Sequence, residues 1–209
     1  MTSTPNDIKA IVFDLGGVLI DWDPRHMYRS VFDDEAEMEH FLSEIATLEW
    51  NSQHDAGGTW AEGVATLSAE YPDYAHLIEL YQERWIEMLG GPIDGTVAIL
   101  AKLKATGHEV HALTNWSNET FPIALERYEF LGWFENIVVS GDEKVIKPNP
   151  QIYEILLERI GRNSYECVFI DDGIKNIEAA RQLGFTAIHF RNPQQLTEEL
   201  AELGISVAS

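Results

Sequence analysis

The sequence predicts an α/β protein built on a doubly wound parallel sheet, with a helical segment inserted after the first strand. Five short apolar runs are continuous rather than alternating, the pattern of strands covered on both faces. Helical patterns separate the later runs, so strand and helix alternate as in right-handed crossovers. Between the first run and the second lie roughly 70 residues with helical periodicity only, too long for a loop inside a compact domain.

The first run, 9–15, contains Ile11-Val12-Phe13-Asp14-Leu15, with a carboxylate near its end and Gly16-Gly17 just after it. Asp is depleted inside strands, and an unpaired charge at a buried strand end is costly, so Asp14 needs a metal, a basic partner or a helix N-terminus. From 21 to 91 the patterns are helical, at 35–47, 60–71 and 74–89, with no strand and with Gly57-Gly58 as a hinge. A helix over 94–104 stops at Gly107, and strands follow at 109–115 and 136–140. Asn149-Pro150 opens a helix that runs through Ile152, Ile155, Leu156 and Ile160 to Gly161. A strand at 167–171, a helix at 174–183 ended by Gly184, and a last strand at 186–190 complete the pattern. The expected division is a core of 1–20 and 92–209 with a helical cap of 21–91.

Thirty-five acidic residues against 14 basic give a formal charge of -21, which argues against nucleic acid and anionic membrane surfaces as partners. An anionic substrate must then be held by local positive charge. The single cysteine, Cys167, lies in an apolar strand, which excludes a disulfide framework or a thiolate metal cluster. The start, 1–7, is polar, with no signal-peptide pattern, and no apolar stretch reaches spanning length. The expectation is a cytoplasmic protein, monomer or homodimer.

Polar residues that end strands converge in such a sheet, because ligands bind beyond the carboxyl ends of parallel strands. Asp14 ends the first strand, Thr114-Asn115 the second and Asp171-Asp172 the fourth, while Lys147-Pro148 precedes a helix between the third and fourth. Three carboxylates without a cation would raise one another's pKa, and oxygen ligands in this number suit Mg²⁺. A hydroxyl, an amide and a lysine beside a magnesium site describe a phosphate cradle. Tryptophans facing the sheet would line a substrate pocket, with Trp22, Trp60 and Trp116 the candidates.

These four sites, in this order and with a helical insert after the first, resemble the four motifs of the haloacid dehalogenase superfamily. The resemblance covers 1–20 and 92–209, with 21–91 matching the family's helical cap of the first type. It is nearest to small bacterial sugar-phosphate phosphatases whose first motif reads Asp-Leu-Gly, here Asp14-Leu15-Gly16. It implies a Rossmann-like core and Mg²⁺-dependent hydrolysis of a small-molecule phosphate ester. Asp14 is then the nucleophile and forms an aspartyl-phosphate. Thr114 and the backbone of Asn115 hold the phosphoryl oxygens, and Lys147 neutralises charge on the phosphoryl group and on Asp14. The magnesium ligands are Asp14, the backbone carbonyl of Gly16, and Asp171 and Asp172, whose roles are exchangeable.

One position departs from the family pattern. Most phosphatases of the superfamily carry a second Asp two residues after the nucleophile, which protonates the leaving oxygen; here that position is Gly16. Another group must supply the proton, with Asp21, Asp23 and His26 nearest in sequence, or the leaving group needs little help. The rival reading is a metal-independent 2-haloacid dehalogenase, in which Arg25 or Arg29 would take the substrate carboxylate. The adjacent pair Asp171-Asp172 argues against it, since a metal site has no task there. A non-catalytic phosphate-binding homologue is the remaining alternative.

Overall fold

The structure is a computed structural model that describes residues 8–207; the polar start at 1–7 and the last two residues lie outside the described part. Five strands form one parallel sheet: β1 (Ala10–Phe13), β4 (Glu109–Thr114), β5 (Asn136–Val139), β6 (Cys167–Asp171) and β7 (Thr186–His189), in the order β5-β4-β1-β6-β7. The continuous apolar runs have their reason in the packing of alternate residues. Ile11 and Phe13 of β1, with Val110, Ala112, Val168 and Ile170, belong to one buried cluster, and Ala10 and Val12, with Leu113, Cys167 and Phe169, to another. Helices α6 (Asp94–Ala105) and α11 (Pro193–Glu202) contribute to the first cluster, and α9 (Pro150–Ile160) and α10 (Ile174–Gln182) to the second. Asn149 caps α9, its side chain accepting from the Gln151 N–H at 3.0 Å, and Pro150 stands at the first helical position.

The segment between β1 and α6 holds α1 (Arg25–Tyr28), α2 (Glu35–Glu44), α3 (Leu48–Asp55), α4 (Trp60–Glu70) and α5 (Ala75–Glu83). Three expectations are corrected here. The helical pattern at 35–47 ends early, at Glu44, and a further helix that the pattern did not give, α3, follows: the Thr47 hydroxyl accepts from the Trp50 N–H at 3.1 Å to start it. The strand-free reading misses β2 (Ile20–Trp22) and β3 (Leu89–Pro92), an antiparallel pair at the two ends of the insert. Leu89-Gly90-Gly91-Pro92 has the composition of a turn, and only its partner across the sheet makes it a strand. Gly57-Gly58, expected as a hinge, is instead the α3–α4 turn pressed against the core: Gly57 has φ +91°, and a Cβ there would lie 2.9 Å from the Gly141 carbonyl.

Between α6 and α9 lie α7 (Phe121–Arg127) and the single turn α8 (Ser140–Glu143). Among the described residues, no helix is long and apolar enough to cross a membrane.

Candidate active site

The sheet register brings the strand-end groups level. Phe13 pairs with Ala112 on one side and Ile170 on the other, so Asp14 stands beside Leu113 and Asp171. The ladder carries on past β1 through the Asp14 N–H to the Ile170 carbonyl at 2.8 Å. This is the point where the chain, having built β4 and β5 on one side of β1, turns to build β6 and β7 on the other.

Lys147 sits at the centre with its side chain fully buried. Its Nζ lies 2.9 Å from Asp14 Oδ1 and 2.7 Å from Asp171 Oδ2, and donates to the Leu113 carbonyl at 2.9 Å. Asn115 holds the lysine's backbone at both ends: its Oδ1 accepts from the Lys147 N–H at 2.8 Å, and its Nδ2 donates to the Lys147 carbonyl at 3.1 Å. The side-chain role of Asn115 is thus to position Lys147, a contact across 32 residues that local pattern does not reveal. The Thr114 hydroxyl is buried with no hydrogen-bond partner among the described residues.

The two adjacent carboxylates differ. Asp171 is completely buried; its Oδ1 accepts from the Gly173 N–H at 2.7 Å and from Asn176 Nδ2 at 2.9 Å, while its Oδ2 takes Lys147. Asp172 is exposed and, among the described residues, forms no ion pair. It lies against the turn after β1, where Gly17 has φ +73° and a Cβ would meet Asp172 Oδ2 at 2.3 Å, so that turn needs glycine for both reasons. Asp14, Asp171 and Asp172 each offer an oxygen within 4.8 Å of the others.

Three carboxylates facing one ammonium leave an excess of negative charge, at about 3–4 kcal/mol of repulsion per pair for an effective dielectric near 20. Burial first, and then Asp171 and Asp172, push the Asp14 carboxyl up to about 8 against the pull of Lys147. Burial and Asp171 also raise Asp172. Burial pulls the Lys147 ammonium down, but Asp14 and Asp171 outweigh it and the net shift is upward. A divalent cation would relieve this excess, and these oxygens are the hard ligands it requires.

Beside this cluster is a narrow cavity of about 70 Å³. Trp22, Trp85 and Trp116 line it with Gly16 and Asn115, and α3 contributes Asn51 and Asp55. Trp60, expected as a pocket residue, is 1% exposed inside the insert, stacked on His54 at 3.9 Å and on Tyr81 at 5.6 Å, so it is a packing residue there. Asp21, Asp23 and His26 do not line the cavity either. Asp21 pairs with His26 at 2.9 Å, and Asp23 holds Arg25 at 3.2 Å while accepting the Arg25 N–H. Asp55 escaped the sequence reading. Its signal was a carboxylate on the last turn of a helix, where the dipole disfavours it. Ser140 escaped as well: its Oγ accepts from the Trp116 N–H at 2.9 Å and donates to the Asp55 carbonyl at 2.5 Å, which fastens α3 to the core.

A family model for haloacid dehalogenase-like hydrolases matches residues 8–184. The chain belongs to that family. Among its relatives, flavin mononucleotide hydrolase 1 of Arabidopsis thaliana is 31% identical over 119 residues, 56% of this chain and 47% of that protein. This chain therefore spans about half of that relative. Sesquiterpene phosphatase astK of Aspergillus oryzae is 23% identical over 206 residues, 93% of this chain and 96% of that one. A haloacid dehalogenase family enzyme of Bacteroides thetaiotaomicron, crystallised with magnesium and inorganic phosphate, superposes with a TM-score of 0.66 at 23% identity, covering 88% of this chain and 95% of the other. Dehalogenases are also among the solved structures of this fold. The chain is a hydrolase of this family, with a Rossmann-like core.

Proposed function

We propose that this hydrolase is a Mg²⁺-dependent phosphatase acting on a small phosphorylated metabolite of the sugar-phosphate kind, with 21–91 as its cap and 1–20 and 92–209 as its catalytic core. The observation that carries the reading is the third carboxylate. Lys147 pairs with both Asp14 and Asp171, and Asp172 stands beside them with no ion pair among the described residues, an arrangement that serves a divalent ion and has no use in a metal-free site. The relatives named as phosphatases and the neighbour crystallised with magnesium and phosphate support it.

In this reading Asp14, Asp172 and the Gly16 carbonyl would hold Mg²⁺, and Asp171, its oxygens occupied by Lys147, Gly173 and Asn176, orients the lysine. The bound ion supplies charge neutralisation for the phosphoryl group. Both close contacts of Asp14, Lys147 and the Leu15 N–H at 2.8 Å, fall on Oδ1, which leaves Oδ2 to attack phosphorus. The unpartnered Thr114 hydroxyl and the Asn115 backbone take phosphoryl oxygens, and Lys147 stabilises charge on them. Water then hydrolyses the aspartyl-phosphate.

The dehalogenase alternative needs a guanidinium for the substrate carboxylate. Arg25 is already bound to Glu39 at 2.6 and 2.7 Å and to Asp23, and among the described residues no arginine lines the cavity. A panel of phosphate esters with Mg²⁺ or EDTA, run beside 2-chloropropionate, tests the reading. Phosphate release that EDTA stops is the expected result. Chloride release that survives EDTA overturns it.

A further inference from the structure

We propose that Asp55, on the last turn of α3, is the catalytic acid and base of this site: it gives a proton to the leaving oxygen and later takes one from the attacking water, in place of the side chain that Gly16 lacks. The proposal rests on the phosphatase reading above. Gly16 and Asp55 line the same cavity, and among its lining residues Asp55 is the only titratable side chain. The room is there as well, since a Cβ added at Gly16 meets nothing within 4 Å.

Asp55 is held for such a task. Its carboxylate accepts from Asn51 Nδ2 at 3.0 Å, and Asn51 Oδ1 in turn accepts from the Tyr81 hydroxyl at 3.3 Å. Its backbone carbonyl takes Ser140 Oγ, which also accepts from the Trp116 N–H, two residues beyond Thr114. The carboxyl is therefore anchored to the loop that carries the phosphate-holding groups. Among the described residues no ion pair neutralises it, unlike Asp14 with Lys147 or Asp23 with Arg25. A purely structural residue here would be better as Asn, because a negative charge at a helix C-terminus opposes the dipole. Burial raises the Asp55 carboxyl to about 7, against the Ser117 N–H, the more distant Lys147 and the Asn51 amide, so a proton is available near neutral pH.

The steps balance. Asp14 Oδ2 bonds to phosphorus as the bond to the leaving oxygen breaks, and the Asp55 proton passes to that oxygen, releasing the alcohol and leaving Asp55 as carboxylate. Water then bonds to phosphorus, the bond to Asp14 breaks, and the water's proton returns to Asp55.

The test measures kcat/KM with Mg²⁺ across esters from nitrophenyl phosphate to glycerol phosphate, for the unaltered protein, Asp55→Asn, Gly16→Asp and the double variant, with circular dichroism to check folding. Asp55→Asn should lose about 100-fold on glycerol phosphate and far less on nitrophenyl phosphate, since a good leaving group needs no acid. Gly16→Asp should restore most of the alkyl loss in the double variant. A uniform loss across the series assigns Asp55 a packing role and overturns the proposal. So does a large gain on alkyl esters from Gly16→Asp alone, which would show that no donor was present; this arm does not depend on Asp55→Asn folding. If the unaltered protein turns over no phosphate ester, the phosphatase reading falls and the proposal with it. If it does and the slopes do not change, only the assignment of Asp55 fails.

Discussion

The sheet and the helical insert hold their side chains by different means. In the sheet, β1 is hydrogen-bonded on both sides, so the backbone ladder decides where Asp14, Thr114 and Asp171 stand whatever their side chains do. In the insert, shape decides. Trp50 meets Tyr81 edge-on at 5.0 Å, His54 stacks on Trp60 at 3.9 Å, and the Tyr28 hydroxyl donates to the Leu77 carbonyl at 2.8 Å. Changes at the sheet's edge should therefore alter chemistry and spare the fold, while small changes in the aromatic cluster should alter stability.

The sharpest break of this contrast comes from Asp14→Asn. It should abolish turnover, because the nucleophile is gone, yet leave the melting temperature no lower, because one of three crowded carboxylates is neutralised without a change of shape. Kinetics and thermal melting on the same sample decide it; retained activity removes Asp14 from the mechanism.

Lys147→Ala is the exception that sharpens the rule. Lys147 is buried between two carboxylates, so removing it leaves uncompensated charge and should cost about 3–5 kcal/mol of stability as well as activity. Denaturant unfolding reads the loss. A wild-type midpoint would mean that the pair is not formed in solution.

In the insert, Gly63→Ala should act against helix propensity. Ala in a helix interior ordinarily gains about 1 kcal/mol over Gly. Here a Cβ would lie 2.1 Å from the His54 ring, which Trp60 and Trp50 confine. A loss of roughly 1–2 kcal/mol is expected, as for overpacking elsewhere. A variant more stable than the parent would show that the cluster yields.

The smallest effect concerns pH. Burial lowers the His54 pKa, so the imidazole is neutral in the folded state when the unfolded chain has begun to take a proton. The contribution is intact above about 6.5, the ordinary histidine value, and is lost as pH falls below it. The difference in melting temperature between the parent and His54→Leu should therefore move in favour of the variant from pH 7.5 to about pH 5.5. Parallel profiles would remove His54 from the account.

What was legible in the chain follows the same division. The five strands appear in the sequence as continuous apolar runs, because a strand covered on both faces must be apolar at every position, and this is a local constraint. Asp14, Thr114 and Asp171 were visible as polar residues ending such runs, and parallel pairing alone then makes them neighbours. The chain by itself thus determined the sheet and the charged cluster at its edge. The tertiary structure decided the rest: that Asp172 rather than Asp171 is the open carboxylate, that Trp60 is packing rather than pocket, that Asn115 clamps Lys147, that β2 finds β3, and that Asp55 reaches the cavity beside Gly16. The Ser140 hydroxyl and the Asp55 carbonyl are 85 residues apart in the chain. No periodicity encodes such a contact, because it depends on how whole helices settle against the sheet, and that is a property of shape and packing rather than of any local run of residues.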